Sequence, residues 1–228
     1  QEAHRGSKEN TSPHPHPNPP PRGGGNKERG QEARAGGKHT QEPNLKHFLD
    51  LVALGTVCDV VSLTGINRAF VAQGLKVLAA RGNTGLNALC DVARVDERPS
   101  AYHLGFILGP RINAGGRVGQ SDLGVRLLTT DDTNEAKELA TTLDRHNAER
   151  QAIEAMVLEA AQEQAAALPP DTPMILVHQE HWHEGVIGIV AGRLKETFQK
   201  PAAAIAIKDG IGKGSARSVP GVDLGAAS

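Results

Sequence analysis

Aromatic residues are scarce in this chain: one Trp, one Tyr and four Phe among 228 residues, or 3%. Any core must therefore be assembled from Val, Leu, Ile and Ala. Cysteine is nearly missing as well. Cys58 and Cys90 both stand in apolar contexts without metal-ligand spacing. That excludes a disulfide framework or a thiolate zinc site and suits small buried thiols in a reducing compartment. There is no excess of either charge: 25 Lys and Arg face 26 Asp and Glu, for a net charge of −1. An anion-binding surface, if present, has to be local. No apolar run reaches the roughly 18 residues of a membrane span, and the first residues contain no signal-peptide hydrophobic segment. These absences lead to the expectation of a cytoplasmic protein with one large domain or two small ones.

Residues 1–44 lack every core-forming side chain. They contain no Val, Ile, Leu, Met, Cys or aromatic residue, and half of the 14 prolines lie here beside the Gly23–Gly25 run. Such a segment buries too little apolar surface to offset its ordering entropy, so it is expected to be a disordered leader. His14 and His16 alternate with proline, a pattern more often adventitious than a metal site. The composition changes abruptly at Leu45.

What is present begins with the apolar run 49–63, LDLVALGTVCDVVSL, in which Asp59 stands among Val57, Cys58, Val60 and Val61. A carboxylate in apolar surroundings needs a partner, either a metal ion or a basic group; a helix-capping role is the plainer reading. Residues 66–80 carry an apolar stripe at Ile66, Phe70, Leu75 and Leu78 that predicts a helix ending at Arg81-Gly82-Asn83. Shorter helices are expected over 85–93, from Ser100 through Leu108, and from Ser121 or Asp122 through Leu128. Between the last two lies GPRINAGGR (109–117), read as a tight loop in which Arg111 and Arg117 bracket Asn113. Arginine is the side chain suited to bidentate phosphate or carboxylate recognition.

Residues 132–168 read as one long helix, opened by an Asp132/Glu135 capping box and stopped by Pro169-Pro170. Its stripe runs through Leu139, Leu143, Ile153, Met156, Val157 and Ala160, interrupted by His146, Asn147 and Arg150. A helix of about 50 Å exceeds what one compact domain needs and suggests a strut between two. Beyond it the pattern becomes α/β: strands at 173–178, 201–207 and 211–219, with a helix over 185–198. EHWHE (180–184) places His181 and His183 around the chain's Trp182, at a strand-to-helix turn where α/β sheets bind ligands. With no third ligand nearby, hydrogen bonding suits these histidines better than zinc. In GKGSARS (212–218), Gly212 and Gly214 would admit a ligand close to the backbone. Ser215 and Ser218 offer hydroxyls there, and Arg217 a guanidinium fork.

Taken together, LVALGTVCDVVSL, GPRINAGGR, HWHEGVIGIVAGRLKE and GKGSARSVPGVDLGAA, in this order and spacing, resemble the DHH phosphoesterase family. Within it they are similar to the RecJ-type exonucleases specific for single-stranded DNA. The likeness covers residues 45–228. It implies an α/β architecture: the helical C-terminal part of a DHH domain (45–131), a connecting helix (132–168) and part of a DHHA1 domain (169–228). It further implies hydrolysis of single-stranded DNA from the 5′ end with two divalent metals, Mn2+ or Mg2+. A helicase and a single-strand-binding protein are the implied partners. Carried onto this sequence, Asp59 matches a metal-binding catalytic aspartate. Arg111, Asn113 and Arg117 match a segment along the DNA path. His181, His183, Ser215, Arg217 and Ser218 match residues lining the cleft, with Ser215 to Arg217 suited to the 5′-phosphate.

Cys58 and Ser62 stand where the family often has a small apolar residue and proline. The Asp-x-Asp and Asp-His-His motifs expected before residue 45 are not found in 1–44. The chain therefore reads as an internal fragment, inactive alone. The alternatives are a non-catalytic single-stranded nucleic-acid-binding module, or a small phosphodiesterase of short oligonucleotides or cyclic dinucleotides. Relatives of the last kind carry a Gly-Gly-Gly-His-like stretch where this chain has GKGSARS.

Overall fold

A computed structural model describes residues 44–226. Residues 1–43 of the expected disordered leader, with the His14/His16 pair, lie outside the described residues. A short turn of 3-10 helix (Leu45–Phe48) leads into α1 (Leu49–Cys58), α2 (Gly65–Ala79) and α3 (Thr84–Val92). A π-helical segment (His103–Leu108) continues into α4 (Gly109–Val118), followed by α5 (Leu123–Thr129) and the 34-residue α6 (Thr133–Ala166). Next come β1 (Ile175–Glu180), α7 (Glu184–Phe198), β2 (Ala202–Lys208) and β3 (Ile211–Arg217). The class is α/β, a helical first part and a long helix followed by a small mixed sheet.

Two apolar clusters organise these elements, and α6 belongs to both. Its first half places Ala136, Leu139, Ala140 and Leu143 among Leu86, Leu89, Leu104, Leu108 and Leu127. Its last third places Val157, Ala161 and Ala165 against β1, α7 and β2 through Ile175, Val177, Val190 and Leu194. Each leucine fully withdrawn from water contributes roughly 1.5–3 kcal/mol, which lets a core poor in aromatics hold together. His146, Asn147 and Arg150 do not break the helix, because each meets a polar partner: Asn147, buried on the stripe one turn past Leu143, accepts from Arg150, Arg150 pairs with Glu154, and His146 lies beside Glu149. Asp132 caps its start, accepting from the backbone N–H groups of Asn134 (2.7 Å) and Glu135 (2.9 Å). The reciprocal half of the capping box is missing, since the Glu135 carboxylate is taken by Thr130 and Arg126. At its far end Gln164 hydrogen-bonds both backbone groups of His178, so a side-chain amide covers the free edge of β1.

The sheet has the order β1-β2-β3, with β1 and β2 parallel and β2 and β3 antiparallel. The connection through α7 supplies the crossover that a parallel pair requires. The hairpin between β2 and β3 turns at Asp209 (φ 51°) and Gly210 (φ 74°).

Several expectations are corrected. GPRINAGGR is helical, not a tight loop. Pro110 lacks the N–H that would continue an α-helical ladder, and the chain adapts by widening to a π-helix just ahead of it; the Gly109 N–H reaches back to the Leu104 carbonyl. Gly109 serves packing rather than turning, because a Cβ there would stand 2.4 Å from Cys58 Sγ. In α2 the stripe is rotated: Ile66 and Phe70 are 67% and 40% exposed, while Val71, Gly74 and Leu78 are buried. Gly74 explains this, since a Cβ there would lie 2.1 Å from the Leu49 carbonyl oxygen; α1 sits directly on the 71/74/78 row. Met156 likewise faces solvent, and α6 buries the neighbouring Val157 row instead.

The apolar surroundings expected of Asp59 are also not found. Asp59 is the exposed C-cap of α1, and the buried carboxylate of that stretch is Asp50, 2% exposed. Burial pushes the Asp50 carboxyl above its ordinary range, opposed by the Leu51 N–H that it accepts at 2.8 Å. Val60 follows in the left-handed region (φ 56°), as the C′ residue of a Schellman turn. In that turn Val61 N–H bonds to Thr56 O and Val60 N–H to Val57 O.

Candidate anion-binding cleft

Three elements meet where the first helices approach the sheet: the C-terminal end of α4, the N-terminal end of α7, and β3. They enclose an open cleft of about 740 Å³ lined by Arg117, His183, Glu184, Lys213, Ser215 and Arg217, with several glycines between them. The closeness of the walls depends on those glycines. A Cβ on Gly185 would lie 2.2 Å from the Arg117 carbonyl oxygen, and one on Gly188 would lie 3.1 Å from both Ser215 Oγ and an Arg217 guanidinium nitrogen. The missing side chains let α7 touch α4 at one turn and β3 at the next.

Each cationic or polar group has a structural reason for its position. Arg117, in the last turn of α4, donates to the Gly185 carbonyl at 3.2 Å. His183 is the N-cap of α7, and its Nδ1 accepts the Gly185 N–H at 3.0 Å. That bond leaves Nδ1 without a proton in the neutral ring, so Nε2 is the remaining donor. On β3 the two-residue period brings Lys213, Ser215 and Arg217 to one face. Arg217 donates to Ser215 Oγ (3.1 Å) and to the Ala216 carbonyl (2.8 Å), and Lys213 pairs with Glu184 at 2.5 Å. The lysine holds the Glu184 carboxyl below its ordinary range through its hydrogen bond and its charge, with His183 and Lys208 adding to the effect. Helix N–H groups and guanidinium forks that face one space suit a phosphate oxygen or a carboxylate.

Four of the residues singled out from the sequence thus line one cleft: Arg117, His183, Ser215 and Arg217. The other five are elsewhere. Asn113 lines a small adjoining space of about 170 Å³ with Arg117, Arg150 and Cys58. His181, in the left-handed region (φ 66°), lines a neighbouring cleft of about 570 Å³ with Trp182 and Lys208. Ser218 bonds to the Val222 carbonyl beyond β3. Arg111 is engaged inside the helical part, with its Nε 2.8 Å from Asp144 and another nitrogen 2.7 Å from the Ile107 carbonyl. Asp59 has no ion pair among the described residues, and nowhere among them do three His, Cys, Asp or Glu side chains gather to hold a metal. The described residues do not make up a two-metal site.

The sequence reading passed over Lys213, Glu184 and Gly188. Their signals were the 213/215/217 alternation in a strand and the i, i+4 spacing of 184 and 188 on a helix. Gly212 and Gly214 lie in β3, where a Cβ on either would meet Ile205 of β2, at 3.1 and 3.4 Å, and Gly214 also lines the cleft.

Comparison with known proteins agrees with the fold. The DHHA1 domain family matches residues 171–228. The single-stranded-DNA-specific exonuclease RecJ of Dickeya dadantii is 45% identical over 190 residues, covering 80% of this chain and 33% of the relative. The Escherichia coli protein of the same name is 43% identical over 192 residues, with the same coverage. The chain thus spans about a third of the length of the curated relatives it matches. Among solved structures, RecJ from Thermus thermophilus in complex with Mg2+ superposes with a TM-score of 0.73 at 36% identity, over 81% of this chain and 29% of that one. A RecJ exonuclease bound to manganese gives 0.70 at 36% identity, over 81% and 46%.

Proposed function

We propose that this chain, a homologue of the RecJ exonucleases carrying a DHHA1 domain, is the strand-anchoring portion of a metal-dependent 5′-to-3′ exonuclease of single-stranded DNA in repair and recombination. The observation that carries the reading is the meeting of Arg117, His183, Ser215 and Arg217, from three separate elements, around one open cleft. A phosphate seated there would face two guanidinium groups, a serine hydroxyl and the N-terminal end of α7. Charge-assisted bonds of this kind are roughly twice as strong as neutral ones. The formal net charge of −1 leaves no diffuse attraction to nucleic acid, so a local site has to supply the grip.

Hydrolysis in such an enzyme uses divalent metal, and relatives of known structure hold Mg2+ or Mn2+. Here Asp59 would contribute one carboxylate, presented to solvent at the end of α1. The described residues add no cluster of donors around it. This stretch is therefore assigned to binding, and cleavage to a longer protein that contains the remaining ligands.

The test measures binding of a 3′-labelled oligothymidylate, with and without a 5′-phosphate, to the wild-type chain and to Arg217→Ala and Arg217→Lys. Loss of the guanidinium should weaken binding of the phosphorylated strand by about 1.5–3 kcal/mol, the range for hydrogen bonds to charged groups. Lysine should restore part of it, since a point charge cannot form two parallel bonds. An equal loss on both strands would make Arg217 a general backbone contact, and no loss would make it a surface residue of β3.

A further inference from the structure

The anion cleft contains a carboxylate that does not belong in an optimised phosphate site. Glu184 lies in the first turn of α7 and lines the cleft together with Arg117, Lys213 and Arg217. Its Oε2 is 2.5 Å from Lys213 Nζ, so one of three cationic side chains around the space is already paired with a group of the protein itself. Glu184, His183 and Lys213 also line the adjoining 570 Å³ cleft, which makes the ion pair the wall between the two spaces. Both partners are more than half exposed, at 58% and 67%, so the pair can be broken and remade without unpacking the core.

We propose that Glu184 is a built-in competitor that limits how tightly the cleft holds a phosphate. The proposal rests on the anion-binding reading given above. An incoming phosphate and the Glu184 carboxylate compete for the same Lys213 ammonium and for the same positive end of α7. Because the carboxylate is tethered beside the lysine, it reforms the pair as soon as the ligand leaves. An enzyme that must release each end of a strand and take the next gains from a grip that is localised but not deep. The competing field acts on ligand charge, so a terminal phosphomonoester, carrying nearly two charges, is opposed more than an internal diester carrying one.

The experiment compares wild type, Glu184→Gln, Lys213→Gln and Arg217→Ala. Each is titrated with inorganic phosphate and with oligothymidylate bearing a 5′-phosphate or a 5′-hydroxyl, at two salt concentrations. Glu184→Gln keeps the shape of the side chain and removes its charge. Its binding should tighten severalfold, more for the phosphorylated strand than for the 5′-hydroxyl strand, with a steeper salt dependence. Lys213→Gln should weaken binding. If wild type binds, Arg217→Ala weakens it, and Glu184→Gln is unchanged or weaker, the proposal is overturned while the anion site stands. If neither wild type nor Glu184→Gln binds any of the probes, both readings fall. Binding by Glu184→Gln alone would support the competitor role directly. Thermal unfolding of each variant separates a loss of fold from a loss of affinity.

Discussion

Arg117 and Gly185 join two helices end to end: the guanidinium donates to the Gly185 carbonyl at 3.2 Å, while the Arg117 carbonyl stands where a Cβ of residue 185 would be, 2.2 Å away. The contact is short because residue 185 has no side chain, and one wall of the anion cleft depends on it.

Gly185→Ala is accordingly expected to push the end of α4 away from α7. Overpacking of this kind costs about 1–3 kcal/mol of stability. Binding of a 5′-phosphorylated strand should weaken beyond what the lost stability explains, since Arg117 and His183 are displaced together. Denaturant unfolding and anisotropy titration of the same variant check both parts. Wild-type affinity in the variant would show that the cleft does not need this contact.

Val60 is a β-branched residue in the left-handed region, where glycine is the usual occupant of a Schellman turn. Val60→Gly should relieve strain of roughly 1–2 kcal/mol, offset in part by the greater backbone freedom of glycine in the unfolded chain. Because Val60 is 88% exposed, little packing is lost. A net rise in unfolding free energy is the expected outcome, and a clear fall would mean that the valine side chain has an unassigned contact.

Arg150 and Glu154 form an ion pair on α6 whose side chains are 11% and 13% exposed, at 2.5 Å, with Arg150 also bonded to Asn147. Removing one partner of a largely buried pair leaves an uncompensated charge, so Glu154→Ala should cost on the order of 3–5 kcal/mol. Replacing both together, as Arg150→Met with Glu154→Leu, should cost much less. A double-mutant cycle by denaturant unfolding measures the coupling, and strict additivity would contradict the assignment.

Asp50 supplies a pH dependence of definite sign. Its folded pKa is raised above the ordinary 3.8 by burial, so the folded state holds the proton to higher pH than the unfolded state does. The contribution to stability is fully favourable below about pH 4 and is lost as pH rises through the folded value. Asp50→Asn removes this titration, so its stability relative to wild type should improve from about pH 3 to about pH 7. A difference independent of pH across that range would show that Asp50 titrates normally.

Most of the architecture was legible in the sequence, because local patterning carried it. The α6 boundaries followed from Asp132 and Pro169-Pro170, and the three strands and α7 from short apolar runs bounded by turn residues. The homology to RecJ was likewise carried by local strings of residues. What the strings could not show was which neighbour each residue meets. Glycine is ambiguous in one dimension: at 109 and 74 it admits another helix, at 212 and 214 it accommodates Ile205, and at 185 and 188 it closes a cleft. Arginine is equally ambiguous, with Arg111 drawn to Asp144 and Arg117, six residues on, left at the open site. Asp59, expected in apolar surroundings, is exposed while Asp50 is buried, because exposure at a helix end depends on where the chain turns, not on the polarity of sequence neighbours. Local patterning was enough for the elements, their order and the relationship to RecJ. The gathering of charged side chains at the junction of α4, α7 and β3 came from packing alone, since it depends on approach distances between segments up to about a hundred residues apart.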